Sequence, residues 1–253
     1  MSFAQSVSWW CYERRGIDEN DLLREIKAVG YSAVELAPVH KFSLVRDHGL
    51  RIAAHQLHVP LEQGISHRKY WDDIQRQADE SLKMAQEWDI PYLICFSGNR
   101  EGLDDQQGAE NAIRHLSQLA KSAESAGITL ILELLNSKVD HPDYQCDKTA
   151  WGLQVVSAVN SPRARLLYDI YHMQVMEGDI IQTIRDNHQW IDYYHTAGVP
   201  GRNEIDDSQE LYYPAICRAI AETGFTGYLG QEFVPTGDWR SALREAYQIC
   251  AVK

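Results

Sequence analysis

The chain has 253 residues, of which 44% are hydrophobic and 24% charged, the composition of an ordinary soluble globular protein. Its formal net charge of -12 at pH 7 argues against binding to nucleic acid, whose backbone selects basic surfaces. We find no signal peptide, no run as long as a membrane span and no C-x-x-C pair among the five cysteines. We therefore expect a cytoplasmic protein without a membrane segment, zinc ribbon or disulfide framework.

Short apolar runs alternate with helical patterns along the chain. Such runs are typical of buried parallel strands, and we predict strands at 4–10, 33–37, 51–57, 92–98, 129–135, 164–172, 191–197 and 227–233. Helical patterns lie at 18–30, 69–89, 109–127, 212–224 and 238–252, with a short, weak one near 42–49. The first of these helices is predicted to start at Asp18 as N-cap and to stop at Gly30.

This alternation predicts an α/β fold, a single (β/α)8 TIM barrel that spans residues 1–253 as one domain. An open doubly wound sheet is the competing arrangement. It would usually carry a glycine-rich phosphate loop after the first strand, but SVSWWCYERRG contains no G-x-G-x-x-G. A dinucleotide-binding fold is therefore disfavoured.

Four polar side chains lie at or near the ends of predicted strands: Glu133 in LILELLN, Asp169 in LLYDIYH, His195 in IDYYHTAG and Glu232 in GYLGQEF. In TIM barrels the reactive groups lie at the C-terminal ends of the strands. A buried charge there is costly unless it is paired or bound to a metal. Carboxylates with one imidazole suit a hard or borderline divalent cation, so we predict one metal ion, with Mg²⁺ or Mn²⁺ favoured. The alternative is a set of rim carboxylates in salt bridges with arginines.

Three further residues are candidates for substrate binding. His172 follows Asp169 in D-x-x-H spacing and is placed to face a substrate oxygen, although a packed histidine at a helix N-terminus fits equally well. Arg202 lies in the loop HTAGVPGRNEID, where its guanidinium could hold a carboxylate or hydroxyl. Its alternative is a surface ion pair within that loop. His55, near the end of the third strand, is a weaker candidate and could equally be a hydrogen-bonded core histidine.

Two weaker expectations concern the surroundings of the site. Trp9 and Trp10 could form a wall of the pocket, although aromatic residues at a rim more often only pack. Glu35, at the end of the second predicted strand, could be an outer hydrogen-bond partner of the site.

Several motifs resemble those of the hydroxypyruvate isomerase family, within the xylose isomerase-like TIM barrels: LELLN, YDIYHMQVMEGD, the H-x-A-x-x-P-G-R-x-E loop and GQEF. The resemblance covers nearly the whole chain and is strongest from Ile128 onward. It implies that the four strand-end residues are metal ligands and that Glu133 and Glu232 also transfer the proton. It further implies that His172 and Arg202 contact the substrate.

The sequence departs from that family at one ligand. Hydroxypyruvate isomerases carry Gln at the third ligand position, whereas His195 is similar to the ketose 3-epimerase branch. Endonuclease IV shares the barrel but binds several zinc ions, and the acidic charge argues against that interpretation.

We therefore expect a metal-dependent enzyme that isomerises a small hydroxy-carbonyl compound by enediolate proton transfer. Hydroxypyruvate and tartronate semialdehyde are the favoured substrate pair. A ketose 3-epimerase and a non-catalytic sugar-binding barrel are the alternatives. The expected partner is a small-molecule substrate, and a homo-oligomer is compatible with the sequence.

Overall fold

The computed structural model describes residues 3–13 and 16–252, so positions 1, 2, 14, 15 and 253 of the predicted domain lie outside the described residues. The chain divides into two compact units. The first comprises residues 1–53, 179–188 and 193–253, and the second comprises residues 54–178 and 189–192. Within the described ranges, no helix has the length and apolar character that crossing a membrane requires.

Strands and helices alternate as the sequence predicts. The strands are β1 (Ala4–Ser8), β2 (Ala33–Glu35), β3 (Arg51–Ile52), β4 (Ala54–Gln56), β5 (Tyr92–Cys95), β6 (Thr129–Glu133), β7 (Ala164–Asp169), β8 (Ile191–Thr196) and β9 (Tyr228–Gln231). The α-helices are α1 (Trp10–Glu13), α2 (Glu19–Val29), α3 (Phe42–Asp47), α4 (Trp71–Glu87), α5 (Asp105–Ala126), α6 (Thr149–Val159), α7 (Ile170–Met176), α8 (Ile180–Asn187), α9 (Tyr213–Glu222) and α10 (Trp239–Ile249).

The strands belong to one sheet with the order β3-β2-β1-β9-β8-β7-β6-β5-β4. In the first unit, β1 pairs in parallel with β2 and β9, and β9 pairs in parallel with β8. In the second unit, β5 pairs in parallel with β4 and β6, and β6 pairs in parallel with β7. Parallel strands covered by helices are buried on both faces, which explains their apolar sequences.

The ends of α2 form as the sequence predicts. The Asp18 carboxylate accepts a hydrogen bond from the Asp21 backbone N–H at 3.0 Å. Gly30 ends the helix in the left-handed region, at φ 118°, where a residue without a side chain is favoured. Helix α5 begins earlier than predicted, because Asp104 is its N-cap and accepts from the Gln107 N–H.

Two predicted strands contain a break or a helix start in the structure. The predicted strand 51–57 is split at Ala53 into β3, which pairs with β2, and β4, which pairs with β5. The predicted strand 164–172 ends at Asp169, because the Asp169 side chain caps α7. The other predicted strands are also shorter than expected, since the apolar runs continue into loops. The predicted helices do not include α1, α6, α7 and α8. In α6, apolar residues lie on several faces and obscure the helical period.

The C-terminal ends of the strands carry the polar residues of interest. Glu133 and Asp169 are the last residues of β6 and β7. His195 is the last residue but one of β8, and Glu232 follows β9 directly. Glu35 is the last residue of β2, in register with Ser8 of β1. The strand ends therefore place these groups where parallel α/β folds form active sites.

Candidate active site

The four predicted metal ligands form a buried group. Glu133, Asp169, His195 and Glu232 each offer one ligand atom, and these atoms all lie within 4.8 Å of one another. The four residues have relative exposures of 6%, 1%, 0% and 4%. His55 is not a member of this group.

Glu232 is held by three side chains of its own unit. One carboxylate oxygen, Oε1, accepts a hydrogen bond from the Trp10 indole N–H at 2.9 Å. The other, Oε2, accepts from Arg202 Nη2 at 2.6 Å and lies 3.1 Å from His195 Nδ1. These contacts fix the carboxylate in position.

The same contacts determine the protonation state of Glu232. Burial raises the pKa of this carboxyl group, but the charges of His195 and Arg202 and the hydrogen bonds from His195 and Trp10 oppose it. The net effect places the pKa well below its usual range. Glu232 is therefore a carboxylate at neutral pH, as a metal ligand or a proton acceptor must be.

His195 lies between two carboxylates. Its Nδ1 is 3.1 Å from Glu232 Oε2, and its Nε2 is 2.9 Å from Glu35 Oε1. The imidazole is fully buried and meets the Tyr193 ring edge-on, with a centroid distance of 5.5 Å. A second carboxylate beside the ring of a histidine ligand is a common way to orient that ring in metal sites.

Glu35 is itself enclosed by hydroxyl groups. Ser6 Oγ donates to Glu35 Oε2 at 2.9 Å, and the Ser8 and Tyr193 hydroxyls donate to the same carboxylate. Gly230 leaves the space that this carboxylate occupies, since a Cβ at that position would lie 2.5 Å from Glu35 Oε1. Glu35 is thus a buried carboxylate with satisfied oxygens, in agreement with the expected outer role.

Both carboxylate oxygens of Asp169 lie near His172. Its Oδ1 accepts a hydrogen bond from the His172 backbone N–H at 3.0 Å and so caps α7. Its Oδ2 lies 3.6 Å from Nε2 of the His172 ring, too far for a hydrogen bond. His172 therefore lies in the first turn of a helix, which is where the alternative interpretation of a packed histidine placed it. It also lies beside Asp169, a predicted metal ligand.

Asn136 is a residue that the sequence reasoning missed. It lies three positions after Glu133 within LELLN, and it is fully buried. Its amide Nδ2 is 2.7 Å from His172 Nδ1 and donates to Asp140 Oδ2 at 2.6 Å. An Asn three positions after a strand-end carboxylate, within the LELLN motif, is the only signal that the sequence offered for it.

The backbone at Glu133 is fixed by a buried tyrosine. Tyr144 donates its hydroxyl hydrogen to the Glu133 carbonyl at 3.1 Å and accepts from the Ser97 backbone N–H at 3.1 Å. Tyr144 is completely buried. The strand end that carries Glu133 is therefore tied to the end of the neighbouring strand β5.

Arg202 pairs with Glu232 of the candidate site. Its side chain is 17% exposed, contacts Glu232 and stacks on Trp10 at 5.1 Å from the ring centroid. The backbone carbonyl of Arg202 accepts from Val234 N–H at 2.8 Å. Trp10 thus contributes a hydrogen bond and a stacking surface, so it does more than pack at the rim.

His55 lies in β4 and is half-buried, and burial lowers the pKa of its imidazole. Its substrate contact stays a prediction. The neighbouring His58 is buried, accepts the Phe96 backbone N–H at 3.1 Å and has a pKa lowered to about 4, mainly by burial. His58 is therefore a core histidine.

The donor set of the four-residue group fits a divalent cation. Three carboxylates and one imidazole are ligands that Mg²⁺, Mn²⁺ and related ions accept, and no thiolate is among them. Three buried carboxylates so close together would repel one another, and a cation would offset that repulsion. The buried group could therefore bind a metal ion, as predicted, while the identity of the metal stays a prediction.

Comparisons with known proteins concern the family and the fold of the chain. A family model described as "Xylose isomerase-like TIM barrel" matches residues 23–249. The "Putative hydroxypyruvate isomerase" of Homo sapiens is 29% identical over 259 residues, covering 94% of this chain and 91% of that protein. The "2-oxo-tetronate isomerase" of Pectobacterium atrosepticum is 26% identical over 173 residues, covering 68% of this chain and 65% of that protein.

A solved structure supports the fold over nearly the full length. It is described as AP endonuclease, family 2, from Brucella melitensis, with a TM-score of 0.85 and 24% identity, covering 95% of this chain and 97% of that chain. At this identity the likeness concerns the fold alone. The TIM barrel predicted from the sequence is confirmed.

Proposed function

Because the chain belongs to the xylose isomerase-like TIM barrel family, we propose that it is a metal-dependent isomerase of a small hydroxy-carbonyl acid. The favoured substrate pair is hydroxypyruvate and tartronate semialdehyde. The observation that carries this proposal is the buried group Glu133, Asp169, His195 and Glu232, in a chain whose relatives are named isomerases of hydroxypyruvate and 2-oxo-tetronate.

In this proposal the four residues hold one divalent cation, with Mg²⁺ or Mn²⁺ favoured. When bound, the cation supplies positive charge beside the substrate oxygens that become negative during the reaction. The protein's part is to hold the ligands in place. Trp10 and Arg202 fix Glu232, and the helix cap fixes Asp169.

Glu133 and Glu232 are the proposed proton-transferring pair. One carboxylate removes a proton from C3 of hydroxypyruvate, and the C–H electrons form a double bond between C2 and C3 while the carbonyl oxygen on C2 becomes negative. A proton is then returned to C2, and the C3 hydroxyl gives its proton to the oxygen on C2. The product is an aldehyde at C3 with a hydroxyl at C2, which is tartronate semialdehyde. The low pKa of Glu232 keeps this carboxylate deprotonated at neutral pH, which is the state that a proton acceptor needs.

Arg202 and His172 are the proposed substrate-binding residues, with His55 as a third candidate. The Arg202 guanidinium has one nitrogen on Glu232, and its planar set of donors is the kind of group that binds carboxylates. His172 adjoins Asp169 through its Nε2, at 3.6 Å from Oδ2. Both side chains therefore have a contact with a proposed metal ligand, which supports a place beside the substrate.

A ketose 3-epimerase is the second candidate, and His195 is the observation that favours it. Returning the proton to the same carbon from the opposite face, instead of to its neighbour, would invert that carbon. The residue types suit both reactions. A nuclease role, suggested only by the description of the Brucella protein, is disfavoured by the net charge of -12.

The test is a substrate screen by NMR with the full chain and added Mg²⁺ or Mn²⁺. We expect hydroxypyruvate to yield tartronate semialdehyde, and in D2O to place deuterium at C2. An unlabelled C2 would favour a hydride shift. Conversion of a ketohexose to its C3 epimer, without turnover of hydroxypyruvate, would replace the isomerase by the epimerase. No turnover of either compound with metal bound would refute both reactions.

A further inference from the structure

The loop after β6 has an amide whose orientation is determined by its neighbours. Asn136 Oδ1 accepts hydrogen bonds from the backbone N–H groups of Val139 and Asp140, both at 3.0 Å. Because backbone N–H groups can only donate, this atom is the oxygen of the amide. The nitrogen, Nδ2, is therefore the atom that faces His172 Nδ1 at 2.7 Å and Asp140 Oδ2 at 2.6 Å.

The orientation of the Asn136 amide determines which ring nitrogen of His172 carries the proton. An amide nitrogen carries two hydrogens and has no acceptor capacity, so the contact at 2.7 Å requires Nδ1 of His172 to accept. A ring nitrogen that accepts carries no proton. The proton of the imidazole must then be on Nε2, the nitrogen on the side of Asp169.

The groups around Asn136 prevent its amide from flipping. Asp140 Oδ2 accepts from both the Asn136 amide and the Tyr171 hydroxyl, the latter at 2.8 Å. A flipped amide would turn its oxygen towards that carboxylate and its NH2 group towards two backbone donors. Asn136 and His172 are also fully buried, so water does not substitute for the lost partners.

From this geometry we infer that Asn136 is a positioning residue that keeps the proton of His172 on Nε2, so that His172 meets a substrate oxygen only as a hydrogen-bond donor. The part of this inference that concerns the substrate rests on the proposed function. The group that His172 contacts is then a carbonyl, a carboxylate or the lone pair of a hydroxyl. His172 stabilises charge on that oxygen and does not remove a proton from it.

The tautomer can be measured without any activity. In the full chain labelled with ¹⁵N-histidine, long-range ¹H–¹⁵N correlation distinguishes protonated from unprotonated ring nitrogens, and His172→Gln identifies the signals by their loss. We expect Nε2 protonated and Nδ1 unprotonated. A proton on Nδ1 in the wild-type protein would overturn the inference, whatever the variants do.

The role of Asn136 is tested by Asn136→Asp, which keeps an oxygen for the backbone N–H groups of the loop but replaces the amide donor by an acceptor. We expect Nδ1 of His172 to become protonated in this variant. The matched control is Ser137→Ala, because Ser137 is adjacent to Asn136 but donates to Asp147. In this variant, His172 should keep the wild-type tautomer. An unprotonated Nδ1 in Asn136→Asp, with the introduced carboxyl group ionised, would show that another group sets the tautomer.

The donor role is tested by adding hydroxypyruvate to the Mg²⁺-loaded wild-type protein. We expect the Nε2 signals of His172 to shift while Nδ1 stays unprotonated. Protonation of Nδ1 on binding would make His172 a proton acceptor and overturn the donor role. Turnover with unchanged His172 signals would exclude the contact. If hydroxypyruvate neither binds nor reacts, the proposed function fails on that substrate, whereas the tautomer result stands by itself.

Discussion

Replacing Arg202 by Ala tests whether this side chain holds a buried carboxylate. The Arg202 and Glu232 side chains are 17% and 5% exposed, and their closest atoms are 2.6 Å apart. Removing one partner of a buried ion pair costs about 3–5 kcal/mol. Because Trp10 and His195 remain in contact with Glu232, we expect a smaller loss of about 2–3 kcal/mol in the free energy of unfolding. That corresponds to a fall in Tm of roughly 4–12 °C for a chain of this size.

The pH dependence of this loss gives a sharper test. The folded-state pKa of Glu232 is lowered, so the stability it contributes is present above the ordinary value of 4.5 and is lost as pH falls through the folded-state pKa. Without Arg202 the folded-state pKa should move back up. The difference in the free energy of unfolding between wild type and Arg202→Ala is therefore expected to be largest at pH 7 and to become smaller as pH falls below 4.5.

The assay is urea unfolding with EDTA present, so that metal binding does not contribute. The matched control is Arg185→Ala, whose partner Glu222 is 63% exposed while Arg185 is 52% exposed. An exposed pair should contribute no more than about 1 kcal/mol. If Arg202→Ala loses no more stability than Arg185→Ala, or loses the same amount at pH 7 and in acid, then the ion pair does not hold Glu232.

Three further changes have expected outcomes. Glu133→Gln should lower kcat/KM for hydroxypyruvate by about 100-fold, or about 2.7 kcal/mol, with little change in the Tm measured in EDTA. Glu80→Gln on the surface of α4 should have no effect, and wild-type turnover in Glu133→Gln would remove Glu133 from proton transfer. Dialysis against EDTA should lower Tm, and adding Mg²⁺ or Mn²⁺ at about 100 times its Kd should restore about 2.7 kcal/mol in the free energy of unfolding. If neither treatment changes Tm and elemental analysis finds no metal, the metal site is contradicted. In urea unfolding, Gly230→Ala should destabilise the fold by about 1–3 kcal/mol, because its Cβ would overlap the Glu35 carboxylate. The control is Gly237→Ala, whose Cβ would have no atom within 4 Å, and its stability should stay within about 0.5 kcal/mol of wild type.

The parts of the fold that follow from local chemistry could be predicted from the sequence. Asp18 and Gly30 bound a helix because each has a chemical reason to end it. The grouping of the four strand-end residues could be predicted because a charged residue at the end of an apolar run is costly unless it has a partner. These signals lie within a few residues of the feature that they predict.

The parts that depend on distant partners could not be predicted. Nothing in the sequence around Ala53 indicates that one apolar run pairs with two different strands. Arg202 has acidic neighbours in its loop, but its partner Glu232 is 30 positions away in the chain. The apolar run that contains Asp169 continues into a helix, and only the cap reveals the boundary. The proton-transfer and substrate roles of the site residues stay predictions.

The contact between Glu35 and Gly230 has a consequence for how this chain can vary in evolution. The carboxylate occupies the volume that any side chain on position 230 would need, with 2.5 Å between Oε1 and a Cβ placed there. The two positions are therefore expected to change together. Descendants that acquire alanine or serine at 230 should first, or at once, carry a residue shorter than glutamate at 35. Where glutamate persists at 35, selection should tolerate glycine alone at 230.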